Sequence, residues 1–139
     1  MSIGVHKNAE WETDVCRQRL GREVIERFSD QRIYMGKLLG VLGGMGPMAA
    51  ADFFKKLIEE TPAQRDQDHV PVIVYSVPQI PSRDKALTRD GESPLPHMLA
   101  GLKILQQANV ECVAIPCNTA HFWYDELRNA SGLPILHIV

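Results

Sequence analysis

From Lys37 onward, short apolar runs alternate with amphipathic stretches, and this alternation confines the chain to the α/β class. Leu38-Leu39-Gly40-Val41-Leu42 is an apolar run followed by glycines, the pattern of a buried strand. Pro47 falls where the first residue of a helix would stand, and a helix is predicted over residues 47–60. Its core face would be Phe53, Phe54, Leu57 and Ile58. Residues 70–76 read as a second strand, 110–116 as a third and 133–139 as a fourth. Ser93 is placed to cap a helix that begins at Pro94 and buries Leu95, Leu99, Leu102, Leu105 and Ala108. A further helix is predicted over residues 119–130, with Gly132 as its stop. Residues 77–92 read as a long loop, and a loop of that length in a compact domain is usually functional or disordered. The fold expected is a mainly parallel four-stranded sheet with helices on both faces. Right-handed crossovers put every strand's carboxyl end on one edge, where open α/β sheets bind ligands. Three segments fall there: Gly43-Gly44-Met45-Gly46, the loop from Val77, and Cys117-Asn118-Thr119.

Residues 1–36 differ in character, being charged and mixed. Trp11, Val15, Val24, Ile25 and Phe28 form a partial helical stripe, and a helix is predicted from about residue 12 to residue 28. The chain thus divides into a partly helical N-terminal extension, 1–36, and an α/β domain, 37–139. The sequence leaves open whether the extension docks. The 15 basic and 17 acidic residues give a formal charge of −2, too little for a field that would draw nucleic acid or an anionic membrane. No apolar stretch approaches the ~20 residues of a membrane span. Residues 1–14 carry no apolar signal core, so a cytoplasmic location is expected. The cysteines are Cys16, Cys112 and Cys117, an odd number without a CxxC pair, which argues against a disulfide framework or a structural zinc. His69, His97 and His137 have no spacing that suggests a metal.

Cys117 stands at the carboxyl end of the third strand, just before a predicted helix start, and helix N-terminal amides stabilise a thiolate. The competing reading is a buried cysteine acting as a small hydrophobe. On the alternation of the strand, Val113, Ile115 and Cys117 share one face while Cys112, Ala114 and Pro116 share the other. Asn118 and Thr119 supply short polar groups beside the thiol. His121 could tune Cys117 or donate to a ligand carboxylate, although no third residue completes a hydrolase triad. Arg83 could clamp a carboxylate or simply be solvated. The glycine loop fits a dinucleotide fingerprint only formally, because Tyr75-Ser76 ends the second strand where an acid would bind ribose. What remains is an anion site at a helix N-terminus, or a tight turn with no ligand.

Taken in order, Gly40-Val41-Leu42-Gly43-Gly44-Met45-Gly46-Pro47, Gln79-Ile80-Pro81-Ser82-Arg83 and Pro116-Cys117-Asn118-Thr119-Ala120-His121 resemble the aspartate/glutamate racemase family, over residues 37–139. The resemblance implies a cofactor-independent racemase of an acidic amino acid, in which two cysteines flank the substrate α-carbon. One removes the α-proton and the other delivers a proton to the opposite face. It implies Cys117 as the first of the pair, with Met45, Gly46, Arg83, Asn118 and Thr119 holding the substrate and His121 auxiliary. The implied partner is a small acidic amino acid, with a homodimer as the common assembly and no nucleic acid or membrane. It also implies two similar domains with the site between them, so this chain would correspond to the first, without the second cysteine, and would racemise poorly alone. Without a helix to follow it, the fourth strand would be partly exposed. Residues 1–36 have no counterpart in the resemblance, and Met35 looks like a natural start. Other readings are a carboxylate-binding module without catalysis, a single-cysteine decarboxylase or isomerase, and a nucleotide-binding domain.

Overall fold

The computed structural model describes residues 6–28 and 37–137, with side chains from residue 17 onward. The elements are α1 (His6–Phe28), β1 (Leu39–Gly43), α2 (Pro47–Glu60), β2 (Val72–Ser76), α3 (Arg83–Leu87), α4 (Leu95–Gln107), β3 (Cys112–Ala114) and α5 (Tyr124–Ser131). Short 3₁₀ turns cover Asp66–Asp68 and Thr119–Trp123. The sheet has the order β2-β1-β3 and is parallel throughout, with Leu39 opposite both Val72 and Cys112. All three strands therefore end on the same edge.

The expected fourth strand is reduced to one parallel bridge, Val113 to Ile135, so the sheet has three strands among the described residues. Two prolines account for this. Pro134 offers only its carbonyl, which accepts from Val113 N at 2.9 Å, and Leu136 N returns a bond to Val113 O. One residue pair further along, Pro116 has no N–H, and the Ile115 carbonyl turns to accept from Cys117 N at 2.8 Å. The ladder has no donors with which to continue.

Period-two alternation divides the core into two halves. Leu39, Val41, Cys112 and Ala114 face one side, where they meet Phe53 and Leu57 of α2. Leu42, Val113, Ile115 and Cys117 face the other, against Met98, Leu102 and Leu105 of α4 and Leu127 of α5. The stripe of α2 is narrower than expected: Phe53 and Leu57 are buried, while Phe54 and Ile58 are exposed. Pro94 is the N-cap of α4 rather than its first helical residue, so the helix starts at Leu95, one position later than expected, with the Ser93 hydroxyl accepting from Leu95 N. The stretch after β2 holds α3, whose N-cap Ser82 accepts from Lys85 N. Five residues were too few to show a period.

The N-terminal helix docks. Leu20, Val24 and Phe28 are fully or almost fully buried in the same cluster as Leu39, Val41 and Phe53. The Arg17 guanidinium pairs with Asp52 of α2 at 2.7 Å. Lys56 adds a second partner to Asp52, and its hydrogen bond, with that of Arg17 behind it, holds this carboxyl below the usual carboxylate range. The final segment is covered rather than exposed: Ile135 packs on the α5 side and Leu136 among Leu20, Val24 and Phe28. Trp11, Val15 and Cys16, named from the sequence, lie outside the described side chains.

Candidate active site

The three loops that follow the strands meet on the carboxyl edge. Val77 N donates to Gly43 O at 3.0 Å, which ties the loop after β2 to the loop after β1. Met45, Ile80, Cys117 and Ala120 belong to one buried cluster, so residues from all three loops converge. α3 packs against the 3₁₀ turn that follows Cys117.

The glycines of the first loop divide by role. A Cβ on Gly43 would lie 2.5 Å from the Ala50 Cβ, so this glycine lets α2 approach the strand. Gly44 has φ of +98°, and a Cβ there would lie 2.4 Å from the Val77 N and C atoms. Packing therefore explains both without a ligand. Gly46 is different: it is the N-cap of α2, exposed, with extended backbone and nothing within 4 Å of its missing Cβ. Gly44→Ala is expected to lower stability by roughly 2–5 kcal/mol, since it combines a left-handed backbone with a backbone clash. Gly46→Ala should change it by less than about 0.5 kcal/mol. Urea unfolding midpoints of the two variants would check this, and equal shifts would contradict it.

Cys117 is 8% exposed and lies on the α4–α5 side of the sheet. Cys112 is fully buried on the other side, as the strand alternation required. The two thiols cannot share a substrate. Burial pushes the Cys112 thiol up to about 11. In the folded protein at pH 8, Cys112 should resist iodoacetamide and react only on unfolding. Its modification at the rate of an exposed thiol, followed by peptide mass analysis, would contradict this placement.

Asn118 is exposed and Thr119 half-buried, one on each side of the turn's start. The helix expected over residues 119–130 opens instead as the 3₁₀ turn and becomes α-helical at Tyr124. Arg83 begins α3, where Nη1 donates to the carbonyls of Ile80 (3.3 Å) and Pro81 (3.1 Å). One arm of its guanidinium is thus occupied in holding the loop. Its Nε is buried and has no hydrogen-bond partner among the described residues, leaving a donor that a carboxylate could satisfy. His121 does not point Nδ1 freely at a ligand: this atom lies 2.8 Å from the Cys117 carbonyl oxygen. Burial lowers its pKa below the ordinary histidine range, with the backbone of Cys117 and Leu136 opposing and His137 assisting.

Sequence reasoning missed Tyr124 and His137, which enclose His121. The Tyr124 ring stacks on it with a centroid separation of 6.2 Å, and His137 meets it edge-on at 5.3 Å. The three-residue spacing from His121 to Tyr124 was readable as a helical neighbour pair. His137 arrives by chain return and left no such signal. A cavity of about 550 Å³ is lined by Tyr124, Arg128 and Leu133; it reaches the Tyr124 ring but includes neither Cys117 nor any residue of the glycine loop. A cavity of about 440 Å³ lies between α3 and the 3₁₀ turn after Cys117, lined by Ala86, Leu87, Phe122 and Trp123. No group of side chains suited to hold a metal ion is found among the described residues, and no described helix is long and apolar enough to cross a membrane.

The family model for Asp/Glu/hydantoin racemase matches residues 42–139. The broad specificity amino-acid racemase RacX of Bacillus subtilis (strain 168) is 33% identical over 106 residues, covering 73% of this chain and 46% of that protein. The solved Picrophilus torridus aspartate racemase is 38% identical with a TM-score of 0.69, covering 73% of this chain and 43% of that one. An aspartate racemase homologue from Pyrococcus horikoshii OT3, at 22% identity and a TM-score of 0.59, shares the fold over 73% of this chain and 44% of its own. The chain spans less than half the length of each of these relatives.

Proposed function

We propose, because this chain belongs to the Asp/Glu/hydantoin racemase family, that it carries one cysteine base of an amino-acid racemase and acts on an acidic amino acid. The observation that carries this reading is that Cys117 shares one buried cluster with Met45 and Ile80 of the other two loops, at the edge where open α/β sheets take ligands. The Cys117 thiolate takes the α-proton: the Cα–H bond breaks, an S–H bond forms, and the electron pair passes into the substrate carboxylate as an enediolate. Asn118 and Thr119 orient the amino acid. Gly46 leaves room for a carboxylate at the N-terminus of α2, and the Arg83 Nε offers a donor to the second carboxylate.

Inversion needs an acid on the opposite face, and Cys112 is not it. The geometry supports a second wall from outside residues 37–137. Met48 and Phe122, which flank the glycine loop and Cys117, are 79% and 68% exposed, higher than any other large apolar side chain described. A covering domain or subunit would shield them and exclude water.

A single thiol predicts a specific isotope pattern. The S–H exchanges with solvent and returns deuterium to the face it left, so washout of the α-proton occurs with retention. Proton NMR of L- and D-aspartate, glutamate and alanine in deuterated buffer tests this. The acidic substrates should exchange at least about tenfold faster than alanine, because a site built for a second carboxylate leaves its donors unpaired with alanine. Equal exchange of alanine would overturn the acidic specificity.

A further inference from the structure

The His121 imidazole is tied to the backbone of Cys117. A backbone carbonyl only accepts, so the 2.8 Å contact between His121 Nδ1 and Cys117 O assigns the proton to Nδ1. The ring cannot easily turn away. Tyr124 stacks against it with an interplanar angle of 12°, and His137 packs edge-on to both rings, at 5.3 Å from His121 and 4.4 Å from Tyr124. The Tyr124 hydroxyl in turn donates to Ile135 O at 2.9 Å, fastening this cluster to the segment that bridges β3. The Cys117 backbone is thereby held at two points. Its N–H donates to Ile115 O across Pro116, and its carbonyl accepts from His121.

We propose that His121 is the positioning residue of Cys117: its Nδ1–H fixes the Cys117 carbonyl, and through it the direction of the thiol. The inference rests on the reading of Cys117 as the base. His121 makes this bond in either charge state, because Nδ1–H is present in both. The Leu136 backbone also acts on the ring, but Nε2 makes no hydrogen bond of good geometry among the described residues, and the tie to Cys117 runs through Nδ1 alone.

The test compares three substitutions. An Asn side chain places its amide nitrogen near the position of Nδ1 and can keep the donor. Gln reaches toward Nε2 instead, and Ala has no donor. Cys117 is 8% exposed, so alkylation requires a local opening that the His121 bond opposes. His121→Ala and His121→Gln should therefore raise the iodoacetamide rate at Cys117 about threefold to tenfold, the worth of one net hydrogen bond. His121→Asn should stay within about twofold of wild type on the same ground. Peptide mass analysis separates Cys117 from Cys16 and Cys112, and this readout needs no turnover. In the α-proton exchange assay, His121→Gln should lose on the order of a hundredfold in kcat with KM little changed, the effect of a misaimed group, and His121→Asn should recover most of it. Equal alkylation in all four proteins, or an equal increase in the Asn and Gln variants, overturns the positioning role. A Cys117→Ser variant that keeps full exchange overturns the base reading instead, and the alkylation comparison then still judges the His121–Cys117 tie separately.

Discussion

Deleting residues 1–28 is expected to abolish cooperative folding of the remaining chain. Leu20, Val24 and Phe28 are at most 2% exposed, and each fully buried side chain of this kind contributes about 1.5–3 kcal/mol. Their joint loss is comparable with the ~5–15 kcal/mol that holds a typical domain together. The deletion also uncovers Leu39, Val41 and Leu136, which belong to the same cluster, and an exposed apolar sheet face promotes association. The milder variant Leu20→Ala should cost about 2–5 kcal/mol. Circular dichroism during urea unfolding measures both. A fragment beginning at residue 29 that unfolds at the midpoint of the full chain would show that α1 contributes nothing to the domain. By contrast, Asp52→Asn should cost no more than about 1 kcal/mol, because the Arg17–Asp52 pair is partly solvent-screened.

The α/β class, the helices α2, α4 and α5, and the two-sided character of β3 were legible because each rests on a period that many residues repeat. Cys112 and Cys117 could be assigned to opposite faces from the alternation of the six residues 112–117. The carboxyl-edge rule placed Gly46, Cys117, Asn118 and Thr119 beyond the strand ends before any contact was known, and the parallel sheet does put their loops on one edge. Failures occurred where a single residue decides. Pro116 and Pro134 stop the fourth strand by withholding donors, although the surrounding residues are apolar enough for one. α3 is one turn long and depends on the Ser82 cap. Leu20 was left out of the α1 stripe, yet it is fully buried, since which face of a charged helix docks depends on the sheet beneath it. For Arg83 and His121 the residue type suggested a ligand, whereas both spend a nitrogen on nearby backbone carbonyls. Sequence spacing specifies which residues share an edge; it does not specify which of their atoms are already engaged.

The central claim is that Cys117 removes an α-proton. Serine in its place retains the volume and hydrogen-bonding character but has a far weaker acid, so its hydroxyl is not ionised near neutral pH. General-base catalysis of this kind is worth about 10²–10⁴ in rate. Wild type and Cys117→Ser should therefore be compared by proton NMR of L-aspartate and L-glutamate in deuterated buffer, with unfolding midpoints showing that both are folded. The account predicts loss of the substrate α-proton signal with wild type and a fall of at least about a hundredfold in that rate with the serine variant. Exchange that continues unchanged in folded Cys117→Ser, or that never occurs with folded wild type, would contradict it.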